Sequence, residues 1–325
     1  MKASFLAIAV ALAIAASAVP STARDKFGPW GPPVNLGPLV NSTSHDERPA
    51  ISRDDLSLYF DSNRPGGFGG NDIWVSHRAS VDDPWEPPQN LGPIVNSAGK
   101  QFSPNLSPNG HWLFFGSDRP GGCGTLDIWA SHRKDRDDDF AWEPPVNLGC
   151  VLNTSANDDF PFLFVDNEED IIVLYFASDR DFGTNNYHIY TSTMNEEDGT
   201  FGPAVLVREL NCFPPDCVEF QRDSRTTIRR DGLEIIFGSF NRPGGSGLQD
   251  LWISTRKDTE DPWSIPVNLG SVVNTKFQEG GPALSRDGTT LYFHSSRPGS
   301  FGNLDLYATT RAKLGEDEGD NESRR

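Results

Sequence analysis

Four acidic residues, Asp46, Asp158, Asp223 and Glu279, stand at equivalent points along the chain, and a fifth such point holds Gln101. His45, Lys100, Asn157, Arg222 and Gln278 precede them, and Glu47 and Asp159 follow two of them. Carboxylates gathered at one place can take a cation, a basic peptide segment or a sugar. They can also divide the work of an acid and a base or nucleophile at a glycosidic bond. A third role is structural: like charges held close are costly unless a counter-charge neutralises them, and Lys100, Arg222, Arg225 and a repeated arginine are at hand for this.

The elements that position these residues are repeats. The stretch "SDRPGGCGTLDIW" (117–129) returns at 62–74, 178–190, 240–252 and 295–307, each copy after an aromatic-rich run such as "LSLYF" or "WLFF". Arg64, Arg119, Arg180, Arg242 and Arg297 each stand eight residues before Asp72, Asp127, His188, Asp250 and Asp305. Glycine and proline between them permit a tight turn. The arginine and the acidic residue are expected to meet across it, which is a structural role. A phosphate loop would need a helix after the glycines, and the sequence offers none there.

A second cassette reads "WGPPVNLG" (30–37), "WEPPQNLG" (85–92), "WEPPVNLG" (142–149) and "WSIPVNLG" (263–270), with a worn copy at 201–208. The first precedes every turn-strand unit, whereas the last unit ends near residue 312 with no cassette after it. A period of about 55 to 62 residues with four short strands predicts an all-β, five-bladed propeller. Its blades cover 46–92, 101–149, 157–208, 222–270 and 278–312, and the N-terminal strand at 30–37 completes the last, leaving no open edge. The propeller domain is expected over 19–312.

These units, "SPNG" followed by "SDRPGGCGTLDIW" and its copies, resemble the TolB-type, WD-repeat-like propeller repeats of exported bacterial proteins. The resemblance covers nearly the whole mature chain and implies a binding scaffold. Members of that family usually carry six blades, one more than this chain.

Residues 1–18 read as a signal peptide: Lys2, the apolar run "FLAIAVALAIAA" and the small residues "ASA" before the cut. Export to the periplasm or beyond follows as an expectation. In that setting the four cysteines can form disulfides, and only "FPPD" separates Cys212 from Cys217, the pair expected to be bonded. Residues 313–325 read as a disordered acidic tail. A net charge of −18 argues against nucleic acid as a partner.

Symmetry-breaking residues are the better guide to a ligand. The third copy loses its Pro-Gly-Gly and gains Phe182, Tyr187 and His188. The expected ligand site is therefore the channel mouth bearing Asp46, Asp158, Asp223 and Glu279, flanked by Phe182, Tyr187 and His188. No metal site, cofactor or membrane insertion is expected, and the chain is expected to be monomeric. The sequence is read as a non-catalytic scaffold presenting this acidic mouth to a protein, peptide or glycan. The alternative is a glycoside hydrolase using inner-strand carboxylates as acid, base or nucleophile, and orienting residue.

Overall fold

The computed structural model describes residues 26–314, apart from 167, 168, 170, 196, 214, 216 and 218–221. The signal peptide expected at 1–18 lies outside the described residues, as does the expected acidic tail from residue 315 onward. Five four-stranded antiparallel sheets account for the regular structure, one per predicted blade. The inner strands are Asp46–Ile51, Gln101–Leu106, Asp158–Asp166, Arg222–Ile228 and Glu279–Leu284. They contact one another in ring order, with the fifth against the first, so the architecture is a five-bladed propeller. The outer strand of the last blade is Val34–Asn35, which pairs with Asp305–Thr310 through Val34 with Ala308 and Asn35 with Tyr307. The first and last described strands thus close the ring, as the offset of the cassettes implies.

The cassettes explain themselves as hydrogen-bonding devices. Asn96 donates to the carbonyl of Ile73 (3.0 Å) and accepts from its amide (2.8 Å). Asn41, Asn153, Asn211 and Asn274 hold Leu306, Ile128, Ile189 and Leu251 in the same way. Each clasp satisfies a buried N–H that the two-residue outer strand leaves without a ladder partner, while the carbonyl also accepts a backbone amide, as Ile73 does from Leu91 (3.1 Å). Apolar packing then fills the space between blades. Leu58, Tyr59 and Phe60, from the run "LSLYF", are all fully buried, each side chain contributing about 1.5 to 3 kcal/mol.

The repeated arginine does not meet the acidic residue eight positions on. Arg64 lies over the rings of Phe60 and Trp74 and donates to the carbonyl of Val40 (2.7 Å) and to Asp46. Asp72 instead accepts from the amides of Phe68 and Gly69 and from Asn90, so it caps the glycine turn from inside. A Cβ on Gly67 would stand 2.4 Å from the Asp72 carboxylate, which is why the turn needs glycine there. Two disulfides, Cys123–Cys150 and Cys212–Cys217, fasten loops of the second blade and of the segment before the fourth.

One irregularity recurs in every blade. The inner strand loses register with its neighbour after Glu47, Phe102, Asp159, Ser224 and Gly280. Arg48, Ser103, Phe160, Arg225 and Gly281 there take left-handed φ values of 51°, 54°, 59°, 43° and 61°. Only one of the five is glycine, so four blades hold strain of roughly 1 to 3 kcal/mol each. The bulge turns these residues out of the strand's alternation and towards the channel.

Candidate functional site at the channel mouth

The acidic column lies beneath the mouth rather than on it. Asp46, Asp158, Asp223 and Glu279 are all fully buried. Asp158 accepts from the Thr154 amide (2.6 Å) and hydroxyl (3.0 Å) and pairs with Arg180 (2.6 Å). Glu279 is held likewise by Thr275, Ser295 and Arg297, and Asp46 by Ser42, Ser62 and Arg64. Asp223 accepts from the Cys212 amide and the Ser239 hydroxyl. Gln101 substitutes a neutral amide held by Ser97. Without a carboxylate at that position, burial pushes Arg119 of the same blade down to about 10.

The three aromatic positions separate. Tyr187 meets Phe160 edge-on, with ring centroids 5.6 Å apart, and stays beside the mouth. Phe182 and His188 lie tilted against one another with ring centroids 3.9 Å apart, and His188 stacks on Phe213 of the disulfide loop at 5.0 Å. His188 is 2% exposed, and burial lowers its pKa.

What converges at the mouth is a different set. Arg48 pairs with Glu47 (3.0 Å) and Asp61 (2.7 Å), and its guanidinium lies over the rings of Phe102 and Phe160. Asp61, on the second strand of blade 1, also accepts from the Ser103 amide (3.0 Å) and from Asn71 (3.2 Å). The Ser103 hydroxyl reaches Asp159 at 3.4 Å, so one serine of blade 2 joins carboxylates of blades 1 and 3. From blade 5, His294 accepts the Arg48 amide on Nδ1 (3.3 Å).

The three carboxylates differ in environment. Glu47 keeps 12% of its side chain exposed; burial opposes its charge, but Arg48 and His45 outweigh that and hold it down to about 2. Burial pushes Asp61 up to about 6 against the pull of Arg48, and it raises Asp159 as well. Asp159 Oδ1 and His294 Nε2 are buried without a hydrogen-bond partner. Among the described residues no cluster of three or more His, Cys, Asp or Glu side chains is arranged to hold a metal ion.

The sequence signal for this set was the column next to the acidic one. Glu47, Phe102, Asp159, Ser224 and Gly280 mix two carboxylates with an aromatic, a hydroxyl and a glycine, and their neighbours Arg48, Ser103, Phe160, Arg225 and Gly281 are as uneven around the ring. A matching column on the second strands reads Asp61, Gly116, Ala177, Gly238 and His294. Small residues there make room: a Cβ on Gly116 would stand 2.1 Å from Asp159 Oδ1.

No family model and no curated protein matches the chain. Solved structures do. An α-L-arabinofuranosidase from Lactobacillus brevis is 13% identical, with 87% of this chain and 94% of that one covered at a TM-score of 0.59. A Bacillus subtilis arabinanase is 14% identical, with 87% and 97% covered at 0.58. The catalytic domain of a Coprinopsis cinerea family-62 α-L-arabinofuranosidase is 12% identical, with 88% and 98% covered at 0.57. At these identities the likeness is one of fold, the five-bladed ring. It also corrects the reading of the chain as a non-catalytic binding scaffold: these three propellers, and a thermostable family-43 enzyme that the ring matches at a TM-score of 0.59, are glycoside hydrolases.

Proposed function

We propose that the channel mouth is the catalytic site of a glycoside hydrolase, with Asp159 as the acid and Glu47 as the ionised carboxylate opposite the reacting sugar. The observation that carries this reading is the convergence of Glu47, Asp61 and Asp159, from blades 1 and 3, about Arg48 and Ser103. Neighbouring carboxyl groups whose environments drive their ionisation apart can share acid and anion roles at one pH. Asp159 gives its proton to the glycosidic oxygen as the bond to the anomeric carbon breaks. Glu47 stays ionised against the positive charge that builds on the sugar. Water then adds its oxygen to that carbon and returns a proton to Asp159. Asp61 is a positioning residue, holding Arg48, while Phe102, Phe160 and Tyr187 offer ring faces and edges to a sugar.

Arabinan, arabinoxylan and an aryl α-L-arabinofuranoside are the first substrates to try, given the enzymes that share the fold. Sugar release is expected from at least one. Glu47→Gln and Asp159→Asn should each lower kcat by about 10²-fold or more without changing the melting temperature appreciably. No release by the wild type from any glycan tested, or full activity in both variants, refutes the proposal.

A further inference from the structure

Arg225 crosses the channel. From blade 4 its Nη2 donates to the carbonyls of Arg48 (2.9 Å) and Pro49 in blade 1 and Pro104 (3.1 Å) in blade 2. The side chain is 5% exposed, and its Nε and Nη1 have no hydrogen-bond partner. Beside it Thr226 is 4% exposed, and its hydroxyl is likewise unpartnered. Both residues line a cavity of about 720 Å³ that runs down the inner strands, away from Glu47 and Asp61. Ile51, Leu106, Phe162, Phe164 and Leu284 give it a largely apolar wall.

At the far end of the inner strands stand Arg53, Arg230 and Arg286, from blades 1, 4 and 5, which also line this cavity. The equivalent turn of blade 2 carries Pro108. Arg53 and Arg230 are exposed. The charges of these two add to desolvation in lowering the pKa of Arg286, so the three lie within each other's field. Asp54, Asp55, Asp231 and Asp287 share these turns, and Asp231 pairs with Arg229 (2.8 Å), but of the charged residues there only the three arginines line the cavity.

We infer that this cavity is a second ligand site, opening on the face opposite the mouth, that takes an organic carboxylate with an apolar body. The carboxylate supplies the acceptors that Arg225 and Thr226 lack, and a buried donor left unmade is costly. The apolar body covers the walls, and the three arginines that line the entrance favour the anion at close range. Arg225 also lies in the field of Asp61 and Asp159, but the inference does not rest on the catalytic reading, because its test reads binding and not turnover.

Titration calorimetry of the whole protein with 4-phenylbutyrate, and with 4-phenylbutyramide as its neutral counterpart, tests the site. The acid should bind at least about tenfold more tightly than the amide. Arg225→Met should abolish that preference. Should Arg225→Met fail to fold, Thr226→Val decides, since its hydroxyl has no partner to lose, and it should weaken the acid several-fold. The triple variant Arg53→Gln/Arg230→Gln/Arg286→Gln, altered at the rim, should bind the acid more slowly and with less dependence on salt. Absence of binding by the acid at millimolar concentration, equal binding of acid and amide, or unchanged binding in the Thr226 and rim variants overturns the inference.

Discussion

Replacing Asn41 with alanine tests how the ring is closed. The Asn41 side chain donates to the Leu306 carbonyl (3.0 Å), accepts from the Leu306 amide (2.7 Å) and donates to Asn35 (2.9 Å). Leu306 is fully buried. Its carbonyl keeps a partner in the Leu36 amide (3.0 Å), so the truncation orphans one buried N–H and removes two further bonds. An orphaned buried donor costs about 1 to 3 kcal/mol and each of the two lost bonds about 1, giving roughly 3 to 5 kcal/mol in all. For a domain of this size that lowers the melting temperature by on the order of 5 to 15 °C. Asn96→Ala is the control, because Asn96 makes the same bonds to Ile73 within one blade. Asn41 joins residues 265 positions apart, and when its clasp opens no nearby chain holds Val34–Asn35 in place. Asn41→Ala should therefore be the more damaging of the two, measured by calorimetry. A chain begun at residue 42 should melt lower still and associate through the bared strand Asp305–Thr310. An unchanged melting temperature for Asn41→Ala, or a smaller loss than for Asn96→Ala, refutes the reasoning.

Two further substitutions follow from buried charge. His294, pushed down by burial to about 3, stays neutral in the native state while the unfolded chain binds its proton below about 6.5. Stability therefore rises with pH between about 3 and 6.5, by up to about 1.4 kcal/mol per unit from this group. Asp61 acts with the opposite sign, because its raised pKa makes the native state hold the proton up to about 6. The measurement is thus the difference between wild type and His294→Gln in denaturant unfolding across that range, and parallel pH curves would disprove the assignment. Gln101→Glu should stabilise the protein by on the order of 1 kcal/mol at neutral pH, by giving Arg119 the carboxylate that Glu279 gives Arg297 at 3.3 Å. That gain should vanish as pH falls below the range in which a paired carboxylate stays ionised; a variant no more stable at pH 7 than the wild type counts against the pairing.

How far the sequence was legible follows from which interactions repeat. The Asn-Leu-Gly cassette, its partner asparagine six residues on and the glycine turn capped by Asp72, Asp127, Asp250 or Asp305 recur because each blade must satisfy the same peptide groups. Repetition of that kind can be counted in a string of letters, and the missing sixth cassette revealed the closure by Val34–Asn35. The direction in which a side chain points is another matter. Alternation along a strand would aim Asp46 and its equivalents at the channel, but the five bulges at Arg48, Ser103, Phe160, Arg225 and Gly281 shift the facing set. The arginine that seals Asp46 was itself assigned to Asp72 from its spacing, and only the fold brings Arg64 to the inner strand. A carboxylate that nearly every blade keeps has a matching arginine in nearly every blade, which is the mark of a fold requirement. The proposed catalytic set lies instead in the uneven column that holds Glu47, Phe102 and Asp159. There Asp61 and His294 take places that Gly116, Ala177 and Gly238 leave small, and the strain held in four non-glycine bulges serves one asymmetric cluster at the centre of a repeating ring.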